Sequence, residues 1–307
     1  MQVLDRRCFL ATAAGASCAV RSLVADEPRR IHIASQQYPW MTFFEREGKK
    51  WDADLPRSLS TFANSGVMGI EPILTSVAGT ERLIPLVRDF RQDMRSVYMN
   101  RVLHDPTMAD AQLSEALAVA EEAVRTGCRI MVVNPTPLRW GGDEEKTDAQ
   151  LDVQAKHLSQ LGKGLRDRGV TLAYHHHGVE MRRDAREVRR MLEGTDPDAV
   201  SFCLDAHWAF RGAGNSAAAV FDFARKYRDR IVELHLRQSR DGVWTETFGD
   251  GDIDYGRLAK LFAEANQFPH LVLEQAIEKG TPATLTATDA HRESVWQVRK
   301  VFAAWGT

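Results

Sequence analysis

The 307-residue chain has little cysteine and no CxxC pair. Its four cysteines are Cys8, Cys18, Cys128 and Cys203. This spacing excludes a disulfide framework and a zinc ribbon. A metal site must therefore use histidines and carboxylates, and the chain has ten histidines and 42 acidic residues.

An excess of positive charge is also absent, because 40 Lys and Arg residues face 42 Asp and Glu residues, for a formal net charge of −2. A protein that binds nucleic acid by neutralising phosphates needs a clear basic excess. No apolar run reaches the roughly 20 residues that a transmembrane helix requires. We therefore expect neither a nucleic-acid partner nor a stable membrane span.

The first 25 residues differ in character from the rest. Asp5, Arg6 and Arg7 precede Phe9-Leu10 and a run of small apolar residues up to Val20. A charged start followed by a short apolar stretch is the layout of an export signal, and paired arginines followed by Phe-Leu resemble the twin-arginine type. We expect residues 1–25 to be cleaved after Ala25 and the protein to be periplasmic or extracellular. A frayed helix, or lipidation at Cys18, are the alternatives.

Beyond residue 30, about eight short apolar runs alternate with longer segments of helical spacing. Such runs, rich in β-branched residues, are typical of buried parallel strands. They are Ile31–Ala34, Val67–Ile70, Ser96–Met99, Ile130–Val133, Val170–Tyr174, Val200–Leu204, Ile231–Leu236 and His270–Leu273.

Eight strand and helix units in roughly 275 residues match a (β/α)₈ TIM barrel, an α/β fold. Gly127, Gly169 and Gly194 stand where helices should end. A doubly wound sheet is the alternative, but it would need a Gly-rich phosphate turn after the first strand, where the sequence has Ser35-Gln36-Gln37-Tyr38-Pro39. We predict one barrel domain over residues 26–307.

Polar side chains end four consecutive predicted strands. Tyr174 leads into three histidines, and Asp205, His235 and Glu274 lie at the ends of the next three strands. In a barrel these strand ends share one rim. A single buried carboxylate is commonly a helix cap or an ion-pair partner, but four such groups together are costly to bury without a cation. The set suits one divalent ion such as Mn²⁺, Co²⁺ or Zn²⁺.

These residues resemble the xylose isomerase-like barrels, which include sugar phosphate isomerases and epimerases, inosose dehydratases and 3-keto-glycoside lyases. The resemblance covers nearly everything from Ile31 to Trp305 and rests on Tyr-His-x-His with a following Glu, Leu-Asp-x-x-His/Trp, Leu-His-Leu and Leu-Val-Leu-Glu. It implies that one divalent metal is held by His175, Asp205, His235 and Glu274.

Two departures from the epimerase members point to another branch. His175 stands where epimerases have a glutamate, so the pair of glutamates that passes a proton between the two faces of the substrate is missing. Trp208 stands where epimerases have histidine, and His207 precedes it. The resemblance therefore favours the dehydratase and lyase branch.

Proton abstraction beside a ketone needs a base, an acid for the departing oxygen and a group that stabilises negative charge. His177 and Glu180 follow His175 on one loop and are the candidates for proton transfer. His177 could instead hold a neighbouring side chain, and His176 should point the opposite way. His207 is a candidate acid or substrate clamp, or a packed histidine.

Arg237 is a candidate for holding a substrate oxygen, since its planar fork suits bidentate binding. A rim ion pair with Glu233 is its alternative role. Trp208, Trp244 and Phe248 are candidate platforms for a sugar ring, because aromatic faces stack on sugars, although each could equally be packing. Asp252 or Asp254 is expected to cap the next helix.

The sequence thus predicts a metal-dependent carbohydrate lyase or isomerase that acts on a keto-sugar, a keto-inositol or a 3-keto-glycoside, with β-elimination as the leading reaction. A sugar epimerase and a non-catalytic exported sugar-binding barrel are the alternatives. A nuclease of similar fold would need more metal ligands and a basic groove. Export favours a glycoside substrate, whose ketone a separate sugar oxidoreductase would supply.

Overall fold

A computed structural model describes residues 31–306. All eight predicted strands are present. The bounds are β1 (Ile33–Gln36), β2 (Gly69–Glu71), β3 (Ser96–Arg101), β4 (Ile130–Pro135), β5 (Thr171–Tyr174), β6 (Ser201–Asp205), β7 (Ile231–Leu236) and β10 (His270–Leu273), with a hairpin of β8 (Ser239–Arg240) and β9 (Val243–Trp244) after β7. The eight parallel strands form one sheet in the order β2-β1-β10-β7-β6-β5-β4-β3.

Helices lie between the strands. They are α1 (Gln37–Arg46), α2 (Leu55–Ala63), α3 (Val77–Asp89), α4 (Pro106–Val124), α5 (Asp148–Arg166), α6 (Arg182–Glu193), α7 (Ala206–Gly212), α8 (Ala217–Lys226), α9 (Tyr255–Glu264) and α10 (Ala287–Val301). Gly127 and Gly169 follow α4 and α5 with φ of 98° and 71°, a conformation that only glycine adopts easily. The fold is the predicted single-domain TIM barrel.

The barrel is nearly closed between β2 and β3. Instead of a continuous ladder, two isolated bridges close the wall here: Gly69 of β2 pairs with Asp93, which precedes β3, and Ile73, which follows β2, pairs with Tyr98 of β3. Between the bridges the Ser96 Oγ donates a hydrogen bond to Glu71 Oε2 at 2.7 Å. A side-chain contact thus occupies the place where the backbone ladder is interrupted.

Side chains alternate between the two faces of each strand. On β5, Leu172 and Tyr174 join the main apolar core, which lies between strands and helices. Ala173 faces the barrel interior with a small second cluster that includes Tyr98 and Cys203. The interior is therefore narrow, and its remaining space is taken by polar groups.

Among residues 31–306 no helix is long and apolar enough to cross a membrane. The predicted export signal over residues 1–25 lies outside the described residues.

A candidate metal centre and substrate cavity at the barrel rim

Four predicted ligands meet at the carboxyl ends of adjacent strands. His175 follows β5, Asp205 ends β6, His235 lies in β7 and Glu274 follows β10. One ligand-capable atom from each lies within 4.8 Å of the others, and all four residues are buried. The alternation of side chains along parallel strands thus produces the predicted cluster.

The donor atoms of this group fit a cation. Asp205 Oδ1 caps α7 by accepting the backbone N–H of Trp208 at 2.7 Å, while Oδ2 has no hydrogen-bond partner. Neither ring nitrogen of His175 has one either. Burial is the first cause that lowers the pKa of His175, so its ring is neutral and can ligate. Buried polar atoms without partners are costly, and one divalent ion would satisfy them.

Glu274 is held ionised beside this group. Burial alone would raise the pKa of Glu274, but the charges of Arg237 and His235 outweigh it and lower the pKa below its usual value. Arg237 Nη2 lies 2.9 Å from Glu274 Oε2. The alternative ion pair of Arg237 with Glu233 is therefore not the one formed.

A cavity of about 430 Å³ opens above the ligand group. Ligand pockets typically span about 300–1,000 Å³, so a small molecule fits. Four of the predicted site residues line it, and within residues 31–306 Glu274 is the only carboxylate among the lining residues. They are His177, Trp208, Arg237 and Glu274.

His177 faces the cavity between two tryptophans. Its ring meets Trp140 edge-on at a centroid distance of 5.2 Å and Trp208 at 5.5 Å. Nδ1 has no hydrogen-bond partner. Burial, with the neighbouring His175 and Arg237, holds the pKa of His177 well below its usual value. A neutral imidazole that can accept a proton therefore faces the cavity. His176 points away and stacks on Phe202 at 5.5 Å, as the alternation requires.

Glu180 lies apart from the cavity. Its Oε2 accepts the backbone N–H of His177 at 2.8 Å, and Asn134 Nδ2 is 3.5 Å from Oε1. The carboxylate borders a small space that Lys146 and Glu187 also line. Burial, and then Glu187, raise its pKa. The structure thus gives Glu180 contacts that hold the His177 loop.

The predicted residues His207, Trp244 and Phe248 do not line the cavity. Trp244 Nε1 lies 3.3 Å from His207 Nδ1, which places His207 behind the tryptophan. The Trp244 ring in turn lies 4.2 Å from the Arg237 guanidinium carbon. Phe248 is fully buried and packs on Tyr255 at a centroid distance of 4.7 Å. Trp244 therefore contacts the site through Arg237 and Trp208, His207 lies against the two tryptophans, and Phe248 belongs to the core.

Several lining residues were missed by the sequence reasoning. Two of them, Tyr98 and Asn100, stand two apart on β3, so the period of a strand could have placed both on the inner face. Of the others, Gln36 ends β1, and the rest come from loops or the first turn of α1, where no strand period applies. These others are Gln36, Tyr38, Ile73, Trp140, Gly141, Gly178 and Val179.

The fold and the rim site together define a barrel enzyme scaffold with a candidate metal centre. The family model of the xylose isomerase-like TIM barrel matches residues 86–296. The chain belongs to this family.

Among curated relatives, an inosose dehydratase of Clostridium tetani (strain Massachusetts / E88) is 30% identical over 154 residues, which are 43% of this chain and 50% of that protein. The chain spans about half the length of the curated relatives it matches.

Two solved structures share the fold. The 3-keto-D-glucoside 4-epimerase of E. coli is 16% identical with a TM-score of 0.62, over 88% of this chain and 100% of that chain. A xylose isomerase-like barrel of Mycobacterium smegmatis, solved with magnesium, is 15% identical with a TM-score of 0.64. The match covers 90% of this chain and 98% of that chain.

Proposed function

We propose that this protein is a divalent-metal-dependent carbohydrate lyase that removes a proton beside the ketone of a keto-inositol or a 3-keto-glycoside and eliminates a β-oxygen. The observation that carries the proposal is the asymmetry of the cavity, where Glu274 is the only lining carboxylate and His177 supplies a neutral imidazole. Epimerisation with two opposed glutamates has no counterpart in this arrangement.

The metal would be held by His175, Asp205, His235 and Glu274, whose ligand atoms cluster within 4.8 Å. When bound, a divalent ion supplies Lewis-acid stabilisation of the negative charge that a keto-sugar develops on losing its α-proton. The inosose dehydratase relatives support this assignment, since a dehydratase eliminates a β-oxygen as water.

His177 is the proposed base. Its lowered pKa keeps the imidazole unprotonated at neutral pH, so the ring can take the α-proton. Protonated His177 can then donate to the departing oxygen. Tyr38 also lines the cavity and is a second candidate proton donor. Burial raises the pKa of its hydroxyl, which therefore stays protonated at neutral pH.

Arg237 is the proposed substrate clamp. Its Nε and Nη2 are occupied by the Glu274 backbone oxygen and carboxylate, at 2.7 and 2.9 Å. Nη1 is buried and without a hydrogen-bond partner. This donor is available to a substrate oxygen at the cavity wall, next to the Trp208 face.

A glycoside substrate is favoured by the mouth of the cavity. Tyr38 and Trp140 line it, yet 39% and 54% of their surfaces are exposed. An aromatic aglycone or a second sugar ring could stack on these faces. Export through the twin-arginine route and a separate sugar oxidoreductase that forms the ketone remain parts of this proposal.

The deciding experiment incubates metal-loaded protein with 3-keto-glucosides and with inososes in D₂O and follows proton NMR. We expect deuterium exchange at the α-carbon together with release of the aglycone or of water. Exchange with inversion but no elimination would identify an epimerase. Saturable binding without any exchange would identify a non-catalytic sugar-binding barrel.

A further inference from the structure

A second group of polar side chains lies deeper in the barrel, directly below the candidate metal centre. Ligand-capable atoms of Glu71, Glu233 and His235 lie within 4.8 Å of one another, and all three residues are fully buried. His235 belongs to both groups. Its Nδ1 lies 3.2 Å from Glu274 Oε2, and its Nε2 lies 3.2 Å from Glu233 Oε1.

We propose that Glu233 is a positioning residue of the metal centre, whose carboxylate accepts the Nε2–H of His235 and thereby directs Nδ1 to the metal. This inference rests on the proposed metal site and adds to it a residue outside the ligand set. A histidine ligand commonly donates its second ring N–H to a carboxylate, which fixes the tautomer and the ring orientation. Glu233 occupies that place.

The position of Glu233 is itself fixed from the other side. Its Oε2 lies 3.0 Å from His270 Nδ1, and β7 and β10 are paired in register, with Glu233 opposite His270. His270 Nε2 then meets His32 Nδ1 at 3.2 Å. His32 Nε2 is 3.2 Å from Asp93 Oδ2, whose side chain is 56% exposed. A chain of polar contacts thus anchors Glu233 to the opposite mouth of the barrel.

Glu71 approaches the same nitrogen but has a different role. Its Oε1 is 3.0 Å from His235 Nε2, yet this oxygen makes no aligned hydrogen bond. Its Oε2 accepts the Ser96 hydroxyl across the gap between β2 and β3. Glu71 therefore joins the two strands, while Glu233 holds the ring.

The first test compares two isosteric variants of the full chain, Glu233→Gln and Glu71→Gln. Both change one carboxylate to an amide in the same buried group. Loss of such an outer partner typically costs about 10–100-fold in metal affinity. We expect that loss in Mn²⁺ titration calorimetry for Glu233→Gln, with a changed Co²⁺ absorption spectrum, and near wild-type values for Glu71→Gln. Equal losses in both variants, or no loss in Glu233→Gln, would overturn the proposal.

The second test uses the unaltered protein, so it holds even if Glu233→Gln does not fold. Long-range ¹H–¹⁵N correlation reports which ring nitrogen of His235 carries the proton, with and without Zn²⁺. In the Zn²⁺-loaded protein we expect the proton on Nε2 and Zn²⁺ on Nδ1, where the metal takes the place of a second proton. A proton on Nδ1 of the loaded protein, or Zn²⁺ on Nε2, contradicts the role of Glu233. A chain with the expected tautomer that acts on no keto-sugar contradicts the proposed function instead.

Discussion

Arg237 and Glu274 hold each other at the barrel rim through two contacts. Arg237 Nη2 lies 2.9 Å from Glu274 Oε2, and Nε donates to the Glu274 backbone oxygen at 2.7 Å. Both side chains are buried, so water screens the pair little. The guanidinium therefore stabilises the charge of a candidate metal ligand, while its third nitrogen, Nη1, has no hydrogen-bond partner.

Replacing Arg237 with lysine separates these two effects. Arg237→Lys keeps a positive charge beside Glu274 but loses the planar fork. We expect the metal content by mass spectrometry to stay near the wild-type value, and kcat/KM to fall about 10²–10³-fold, as for loss of one donor to developing charge. Unchanged kcat/KM would remove Arg237 from the substrate site.

Replacing His177 tests the proposed base. His177→Gln removes the imidazole that faces the cavity, and we expect deuterium exchange at the substrate α-carbon to slow by about 10²–10⁴-fold. His176→Gln is the matched control, because that ring packs on Phe202 outside the barrel. The control should lose stability and keep exchange. Normal exchange in His177→Gln would assign proton transfer to another residue.

Replacing Glu274 tests the ligand set. Glu274→Gln should lose bound metal and activity together, since it removes one anionic ligand of the group of four. The control is Glu278→Gln, a rim carboxylate paired with Arg211 at 2.7 Å, which should retain metal. Chelator treatment of the wild type should lower its Tm, and added Mn²⁺ should restore it. Retention of metal by Glu274→Gln would refute the site.

The buried His291, which lies away from the candidate site, should make the stability of the protein depend on pH. Burial lowers its pKa from 6.5 to about 4. Between these values the unfolded chain binds a proton that the folded chain does not, so the free energy of unfolding falls as the pH falls from 6.5 to 4. The contribution of neutral His291 to the free energy of unfolding is fully present above pH 6.5, and about 3 kcal/mol is lost as the pH falls to 4.

Urea unfolding of metal-free protein over this pH range measures the effect. His291→Phe should flatten the pH dependence by that amount while keeping a ring against Trp40, which stacks on His291 at 4.0 Å. Ser294→Ala, a buried change on the same helix α10, should shift stability equally at every pH. Parallel curves for wild type and His291→Phe would contradict the assignment.

The strands and the clustering of the four candidate ligands were predictable, because both follow from the periodic pattern of the strands. Each barrel strand is buried on two faces and shows as an apolar run, and His175, Asp205, His235 and Glu274 follow from where four runs end. The same alternation correctly placed the side chain of His177 inside the barrel and that of His176 outside it.

The rest depends on contacts that sequence spacing does not carry. Trp140 reaches the cavity from a loop, and Arg237 pairs with Glu274 from the neighbouring strand rather than with Glu233 on its own. Glu233 lies two residues before His235, so the strand period places both on the inner face, but its contact with His270 depends on the register of β7 and β10. Phe248, four residues after Trp244, was predicted to lie at the rim, but its ring packs on Tyr255 in the core.

The barrel wall between β2 and β3 is joined by two bridges instead of a continuous ladder. Four backbone hydrogen bonds close this joint, two to Asp93 and two to Tyr98. Ile73 and Tyr98, which form one bridge of the joint, also line the cavity. A substitution at either residue would therefore alter the shape of the cavity and the closure of the barrel at the same time.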